Sequence, residues 1–499
     1  MKPMGTITKY YPFIDEESKS ILSALMEDSS SYYDFVQRLC KAVLENEASE
    51  NLAYVAAVQA WWVRSAKRME LIQEKYGDVP CIRPWGYVHR TAESDQIKSH
   101  DAVVESIDRA IESSLEDWTE TELHLTHAFF HYPYYRDIPN LLEPVEKAEK
   151  LIATNPLLKC YEPLLDVFKG HIAAKEGNTR EALLVYERGR ELAEKYDDAL
   201  YKYMNLCRSA NVLKSIDIQR SLAAFEELYV LVQDMDVPAL TAYVLNDYAL
   251  ALETMGEYDL AIASILDSIQ VGGLVDTACL NISRVYSTLG DGQEALSWVD
   301  RAFDCAATRE FQTLYLRKAW ALVLLKRLKE AEQNLDTAYP YVMKLGSDMW
   351  LSEYYWALGI LEIARGDYLA AIDVLEKALN IAQQHPRGIT QNIVLLHLAQ
   401  AEFALEKASR TGAMTFIPGM WLNRLEEYAR EKNLQGIRMQ AELLKAEFYL
   451  DYGQLRDAYE TLQQALVISN SPGVKTLRKR INTRMKEIAH QLHDEELSS

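Results

Sequence analysis

The sequence predicts an all-α chain, a right-handed solenoid of antiparallel helix pairs with an N-terminal helical segment and a C-terminal capping helix. Three observations predict it. A small–large–small motif returns along the chain, mostly with steps near 40 residues. Turn glycines stand at a fixed distance before these motifs. No useful length of sequence alternates apolar and polar residues at the two-residue period of a strand.

Each motif places a small residue, a large apolar residue four positions on, and a small residue seven positions on. The three share one helix face, where small residues let another helix approach closely. Clear instances are Ala182/Tyr186/Gly189, Ala295/Val299/Ala302, Ala331/Leu335/Ala338, Ala371/Leu375/Ala378 and Ala458/Leu462/Ala465. Ser221/Phe225/Leu228 and Ala261/Ile265/Ser268 are weaker versions. From the first residue of each set the steps are 39, 40, 34, 36, 40 and 87. The longest step holds an irregular unit. There 389–408 reads as a helix, 410–419 as a loop of turn residues, and 420–431 as another helix. Val103/Ile107/Ala110 and Leu141/Val145/Ala148 keep the period and start the array near residue 100.

Gly177, Gly256, Gly290, Gly366 and Gly453 each lie five residues before a motif. Glycine closes a helix in the left-handed conformation without a Cβ clash. Asn178, Glu257, Asp291 and Asp367 follow four of them and suit the start of the next helix. A further small residue stands twelve before the motif at Gly170 and Gly359. Over about residues 155–470 this pattern resembles the tetratricopeptide-repeat superfamily. Gly359, Gly366, Tyr368, Ala371, Leu375 and Ala378 carry the best match, followed by Gly170, Gly177, Ala182 and Tyr186. Steps near 40 exceed the family's usual 34, so the resemblance implies lengthened helices, like those of its regulatory members.

Three regions follow. Residues 1–98 show no repeat and read as an N-terminal helical cap or small helical domain. In it, 51–75 reads as one long helix with Tyr54, Ala57, Trp61 and Met69 on its apolar face, and 77–87 as a loop. Residues 99–470 are the array of about eight to nine helical hairpins. Residues 471–499 open with the break Ser471-Pro472-Gly473 and form a capping helix over 474–492 with a basic cluster.

The chain has 499 residues, 53 Lys+Arg against 74 Asp+Glu, and a net charge of −21. That balance argues against nucleic acid as a partner, because phosphate-backbone binding needs clustered cations. Six scattered cysteines offer no CxxC pair and read as reduced thiols of a cytoplasmic protein. The first twenty residues hold no apolar signal core, and the longest apolar run, 319–325, is too short to span a bilayer.

Chemistry-bearing motifs are sparse. No GxxxxGK[ST], GxSxG or HExxH occurs. His124, His127 and His131 lie on one helix face and suggest a metal site with Glu120, against the plainer reading of polar members in an aromatic helix. Cys160 and His171 could face each other across a hairpin, but nothing around them suggests a thiolate. Lys475, Arg478, Lys479, Arg480, Arg484 and Lys486 form a basic run, which either meets an acidic partner or counters the acidic array. The expectation is no enzyme, no cofactor and no resident metal.

The resemblance implies a concave groove lined by the first helix of each pair. Carried over by position, it assigns Tyr243, Asn246, Leu250 and Glu253, then Thr277, Leu280, Arg284 and Ser287. Thr313, Leu316, Trp320 and Val323 follow, then Glu353, Trp356, Ile360 and Ile363. Trp320, Val323, Trp356, Ile360 and Ile363 would make an apolar patch, unless the longer helices turn them into inter-helix packing. Family members that grip carboxylate tails resemble this chain at Asn281 and Arg317, but Leu250 and Thr313 depart from that clamp. The expected function is docking of a partner peptide or helix in the groove. The alternatives are a sensor whose array controls residues 1–98, and an assembly in which a second copy fills the groove.

Overall fold

All five turn glycines close helices in the left-handed conformation, with φ of 82° at Gly177 and Gly256, 83° at Gly290, 86° at Gly366 and 73° at Gly453. Each lets the next residue's N–H reach back to the helix it leaves, as Glu257 N does to Leu252 O (2.9 Å) and Asp367 N to Glu362 O (3.0 Å). Asp197, Asp236, Lys326 and Asn433 take the same backbone position without being glycine, with φ of 55°, 56°, 61° and 52°. Asp and Asn tolerate that region; a lysine there is uncommon.

The computed structural model describes residues 4–85, 96–113, 115–134, 138–272, 275–305, 311–345, 348–384, 391–409 and 419–498. Helices α1–α5 span Met4–Thr8, Glu16–Asp28, Tyr32–Glu45, Glu50–Trp62 and Ala66–Tyr76, and α6 spans Gln96–Ile111. Hairpins follow: α7/α8 (Asp117–Tyr134, Ile138–Thr154), α9/α10 (Glu162–Lys175, Thr179–Lys195), α11/α12 (Ala199–Ile216, Ile218–Met235) and α13/α14 (Pro238–Met255, Tyr258–Gln270). Next come α15/α16 (Val275–Thr288, Gly292–Cys305), α17/α18 (Phe311–Leu324, Leu328–Leu345) and α19/α20 (Asp348–Arg365, Tyr368–Gln384). The last are α21/α22 (Gln391–Ser409, Met420–Glu431) and α23/α24 (Gln435–Asp451, Leu455–Ile468), then the capping helix α25 (Lys475–Ser498). Among the described residues there is no strand.

The motif residues are the packing core of the hairpins. Ala182, Ala295, Ala331, Ala371 and Ala458 are fully buried, as are the weaker Ser221 and Ala261. A Cβ added to Gly359 would lie 2.5 Å from the Leu375 side chain, and one on Gly170 would lie 2.6 Å from the Tyr186 ring. The small residue twelve before each of these motifs is therefore where the first helix meets the large residue of the second. Helices 391–409 and 420–431 match the reading of the irregular unit, whose loop at 410–418 lies outside the described residues.

One sequence reading is corrected. The helix expected over 51–75 is two helices, α4 and α5, broken at Arg64 (φ 56°). Leu52 to Trp61 are buried on every side, so α4 is a central helix and its pattern shows no amphipathic break. The core runs without interruption from Ile7 in α1 to Phe448 in α23.

First helices of successive hairpins touch one another: α11 meets α13, then α15, α17, α19 and α21 follow in turn. That contact makes them the inner, concave layer. The superhelix also meets itself. α13 packs on α23, and α14 packs on α25 and on the 472–474 turn before it. Gly256 and Gly436 lie backbone on backbone, where a Cβ on Gly436 would stand 2.4 Å from the Gly256 carbonyl oxygen. Tyr258 Oη donates to Gln440 Oε1 at 2.7 Å, and Thr476 N donates to Asp259 Oδ2 at 2.9 Å.

Candidate binding face on the inner wall

The inner layer carries a row of polar contacts from helix to helix. Asn211 Nδ2 (α11) donates to Asp247 Oδ2 (α13) at 2.9 Å. Asn281 Nδ2 (α15) donates to Asn246 Oδ1 (α13) at 3.2 Å, and Asn246 Nδ2 donates to Ser268 Oγ at 2.5 Å. Arg284 (α15) pairs with Glu253 (α13). Arg317 (α17) pairs with Glu353 (α19) at 2.7 Å. The row ends in an aromatic cluster: Trp320 and Trp356 meet edge to face at 4.2 Å, and the Trp356 indole nitrogen lies 3.3 Å from His397 Nδ1 (α21).

Between α15 and α17 the row is broken. Arg284 pairs back to α13 and Arg317 forward to α19, and none of these hydrogen bonds or ion pairs joins α15 to α17. Arg284 Nε, Arg317 Nη1, Ser287 Oγ and Glu253 Oε1 are buried there without a hydrogen-bond partner among the described residues. Arg317 is 3 % exposed, and its guanidinium is held below its ordinary range, first by burial and further by the like charge of Arg284. Buried donors left unpaired cost about 1–3 kcal/mol each.

The apolar patch expected of the groove is not on its surface. Trp320, Val323, Trp356 and Ile360 are only 2, 7, 0 and 4 % exposed, and Leu316 is fully buried. The lengthened hairpins draw first helices against one another, so the alternative of inter-helix packing holds for these five. Tyr243, Asn281, Arg284 and Ile363 stay half-buried on the wall. Glu353, one of the positions assigned to the groove, and His397, which no motif marks because it sits in the irregular repeat, complete the row.

The remaining candidates settle differently. His124 Nε2 faces Glu120 Oε1 at 3.5 Å, and His127 Nδ1 lies 3.8 Å from Asp108 Oδ1. The His131 side chain lies outside the described residues. Among the described residues no group of three His, Cys, Asp or Glu could hold a metal ion. Burial pushes the Cys160 thiol up to about 12, the opposite of an activated nucleophile.

Burial also pushes His397 and His124 down to about 4. Both stay neutral in the fold, whereas the unfolded chain protonates near the ordinary 6.5. The unfolded state then binds more protons below that value, so these histidines remove stability as pH falls from about 6.5 toward 4. Urea midpoints at pH 7.5 and 5.0 should show the loss, and His397→Gln should reduce it. Equal pH slopes for the variant and the parent would refute the role of His397.

Residues 310–384 match the family model "Tetratricopeptide repeat". Three solved structures are similar. The apo form of RapI shares 10% identity, covering 54% of this chain and 100% of that one, at a TM-score of 0.43. A Rap protein complexed with Competence and Sporulation Factor shares 14%, covering 67% and 99%, at 0.41. A tetratricopeptide repeat protein from Parabacteroides merdae shares 16%, covering 56% and 98%, at 0.30. No curated protein matches the chain. Among the described residues no helix is long and apolar enough to cross a membrane.

Proposed function

We propose that this chain, two of whose helical hairpins match the tetratricopeptide-repeat model, is a non-catalytic scaffold that takes an extended peptide from a partner protein along its inner wall. The carrying observation is the break between α15 and α17. There Arg284 and Arg317, close enough for their charges to interact, each keep a buried nitrogen without a hydrogen-bond partner among the described residues, and a Glu253 oxygen is left in the same way. A main-chain amide suits that mixture, because its carbonyl accepts from the arginines while its N–H donates to the carboxylate. A side-chain or terminal carboxylate would meet the two guanidiniums with still stronger, charge-assisted bonds. Half-buried Tyr243, Asn281 and Ile363 give the peptide flanking contacts. Six free cysteines accord with a cytoplasmic setting.

One contact favours a sensor role within this reading. The Arg64 guanidinium of the N-terminal helices lies 5.9 Å from the centroid of the Tyr243 ring on the wall. A peptide seated at Tyr243 would therefore bear directly on those helices.

A phage-displayed random peptide library panned on the folded protein tests the proposal. Enriched peptides should bind an Asn281→Ala/Arg284→Lys variant about tenfold or more weakly, the scale of a lost hot-spot contact. Arg284→Lys keeps the charge near Glu253 while removing the planar fork. Peptides that bind the parent and a variant of matching circular dichroism equally would overturn the site.

A further inference from the structure

The basic run of the capping helix is not absorbed by the fold. Arg478 Nη1 donates to the Leu466 and Ser469 carbonyls, both at 2.6 Å, and Arg484 Nη2 pairs with Glu447 Oε2 at 2.8 Å. Those two, with Arg480 Nη1 on the Leu289 carbonyl at 3.3 Å, hold α25 to the array. Lys475, Lys479 and Lys486 do not. They recur at helical spacing on one exposed stripe and pair with no carboxylate among the described residues. Together with Asn482 they line an open cavity of about 600 Å³. Three like charges within about 16 Å of helix repel one another and stay solvated unless an opposite charge arrives.

We infer that this stripe docks an acidic segment of a partner protein. The molecule itself shows what this end of α25 receives. Asp259 of α14 accepts from Thr476 N at 2.9 Å and from Thr476 Oγ1 at 2.5 Å. Glu257, just before α14, accepts from Ser471 Oγ. Both carboxylates come from the start of α14 and meet the start of α25, where Ser471 lines the same cavity as the lysines. A nucleic acid is the weaker occupant. The cavity lining has no aromatic side chain to stack a base, and a net charge of −21 opposes a long polyanion more than a short segment. The stripe is separate from the inner wall, so it stands or falls independently of the peptide site there.

The probe is a fluorescein-labelled twelve-residue peptide of alternating Glu and Ser, followed by anisotropy at about 50 mM salt, where screening is modest. Saturable binding is expected, weakened about tenfold or more by Lys479→Glu/Lys486→Glu. The control variant Lys195→Glu/Lys329→Glu carries the same net charge on exposed sites elsewhere, and should stay within about twofold of the parent. Absence of saturable binding overturns the inference. So does equal weakening by both variants, which would make the effect one of net charge. A labelled twelve-nucleotide single strand that binds more tightly than the peptide, and is lost in the stripe variant, would reassign the surface to nucleic acid.

Discussion

Asp198→Ala should destabilise the protein by about 3–5 kcal/mol and release its N-terminal segment. The Asp198 carboxylate is 2 % exposed and carries four contacts. It accepts from Lys9 Nζ and Thr6 Oγ1, both at 3.0 Å, and from the Leu200 and Tyr201 backbone N–H groups, both at 3.1 Å. It therefore caps α11 and anchors the N-terminal segment, 189 residues distant, in one stroke. Lys9 is equally enclosed, with its ammonium 3.7 Å from the centroid of the Tyr201 ring. Removing the carboxylate leaves a buried ammonium without its hydrogen-bonded partner, and that penalty exceeds the worth of the pair itself. Lys9→Met/Asp198→Asn tests this account. It keeps a capping side chain and removes both charges, so it should recover most of the loss in urea denaturation. Limited proteolysis should cut the single variant near its N-terminus and spare the double. A single-variant cost below about 1 kcal/mol would refute the anchor, because only solvated pairs are that weak.

The same neighbourhood holds a buried relay. Tyr32 Oη donates to Gln59 Oε1 at 2.6 Å, Gln59 Nε2 to Tyr10 Oη at 3.1 Å, and Tyr10 Oη to Glu122 Oε1 at 3.0 Å. Burial pushes the Glu122 carboxyl up, and the Lys9 charge holds it back. The N-terminal helices thus join the array through charge and hydrogen bonds as well as through the continuous core. That union is what a sensor reading needs, since a ligand on the wall can act on the helices only through contacts they share.

How much of this was legible in the sequence depends on where the information sits. Helix faces are local, so Ala371, Leu375 and Ala378 announce their burial by spacing alone, and Gly366 announces its turn by being the residue that tolerates positive φ. The turns at Asp236 and Lys326 use ordinary residues in the same conformation, so a search for glycine passes over them. The break at Arg64 escapes for the same reason, inside a helix buried all round. The inner wall is harder. Which side of α17 faces the concavity depends on how tightly successive first helices close, and that is set by every hairpin together. Asn281 and Arg284 stay half-buried on α15, a first helix, because their positions depend on one helix pair. The pairings Arg284–Glu253 and Arg317–Glu353 join residues 31 and 36 apart on different hairpins, and no local pattern marks them.

The tryptophans show the cost of that difference. Trp356→Glu should abolish the folded array. Trp356 is fully buried, packed edge to face on Trp320 and in contact with His397. Truncating a buried tryptophan costs about 3–5 kcal/mol, and an unpaired carboxylate in its place adds several more. Together these approach the whole stability of an ordinary domain, about 5–15 kcal/mol. Trp356→Phe keeps most of the apolar volume and should cost about 1–2 kcal/mol, leaving helicity intact. Thermal unfolding followed by circular dichroism separates the two interpretations of this residue. A docking anchor on an open groove would tolerate glutamate, keep its melting temperature and lose only its partner. A core residue takes the repeat array with it, and because α17 and α19 meet through this pair, the loss should extend to Trp320→Glu as well. A Trp356→Glu protein that melts like the parent would return these side chains to the surface of the groove and the apolar patch to the binding mechanism.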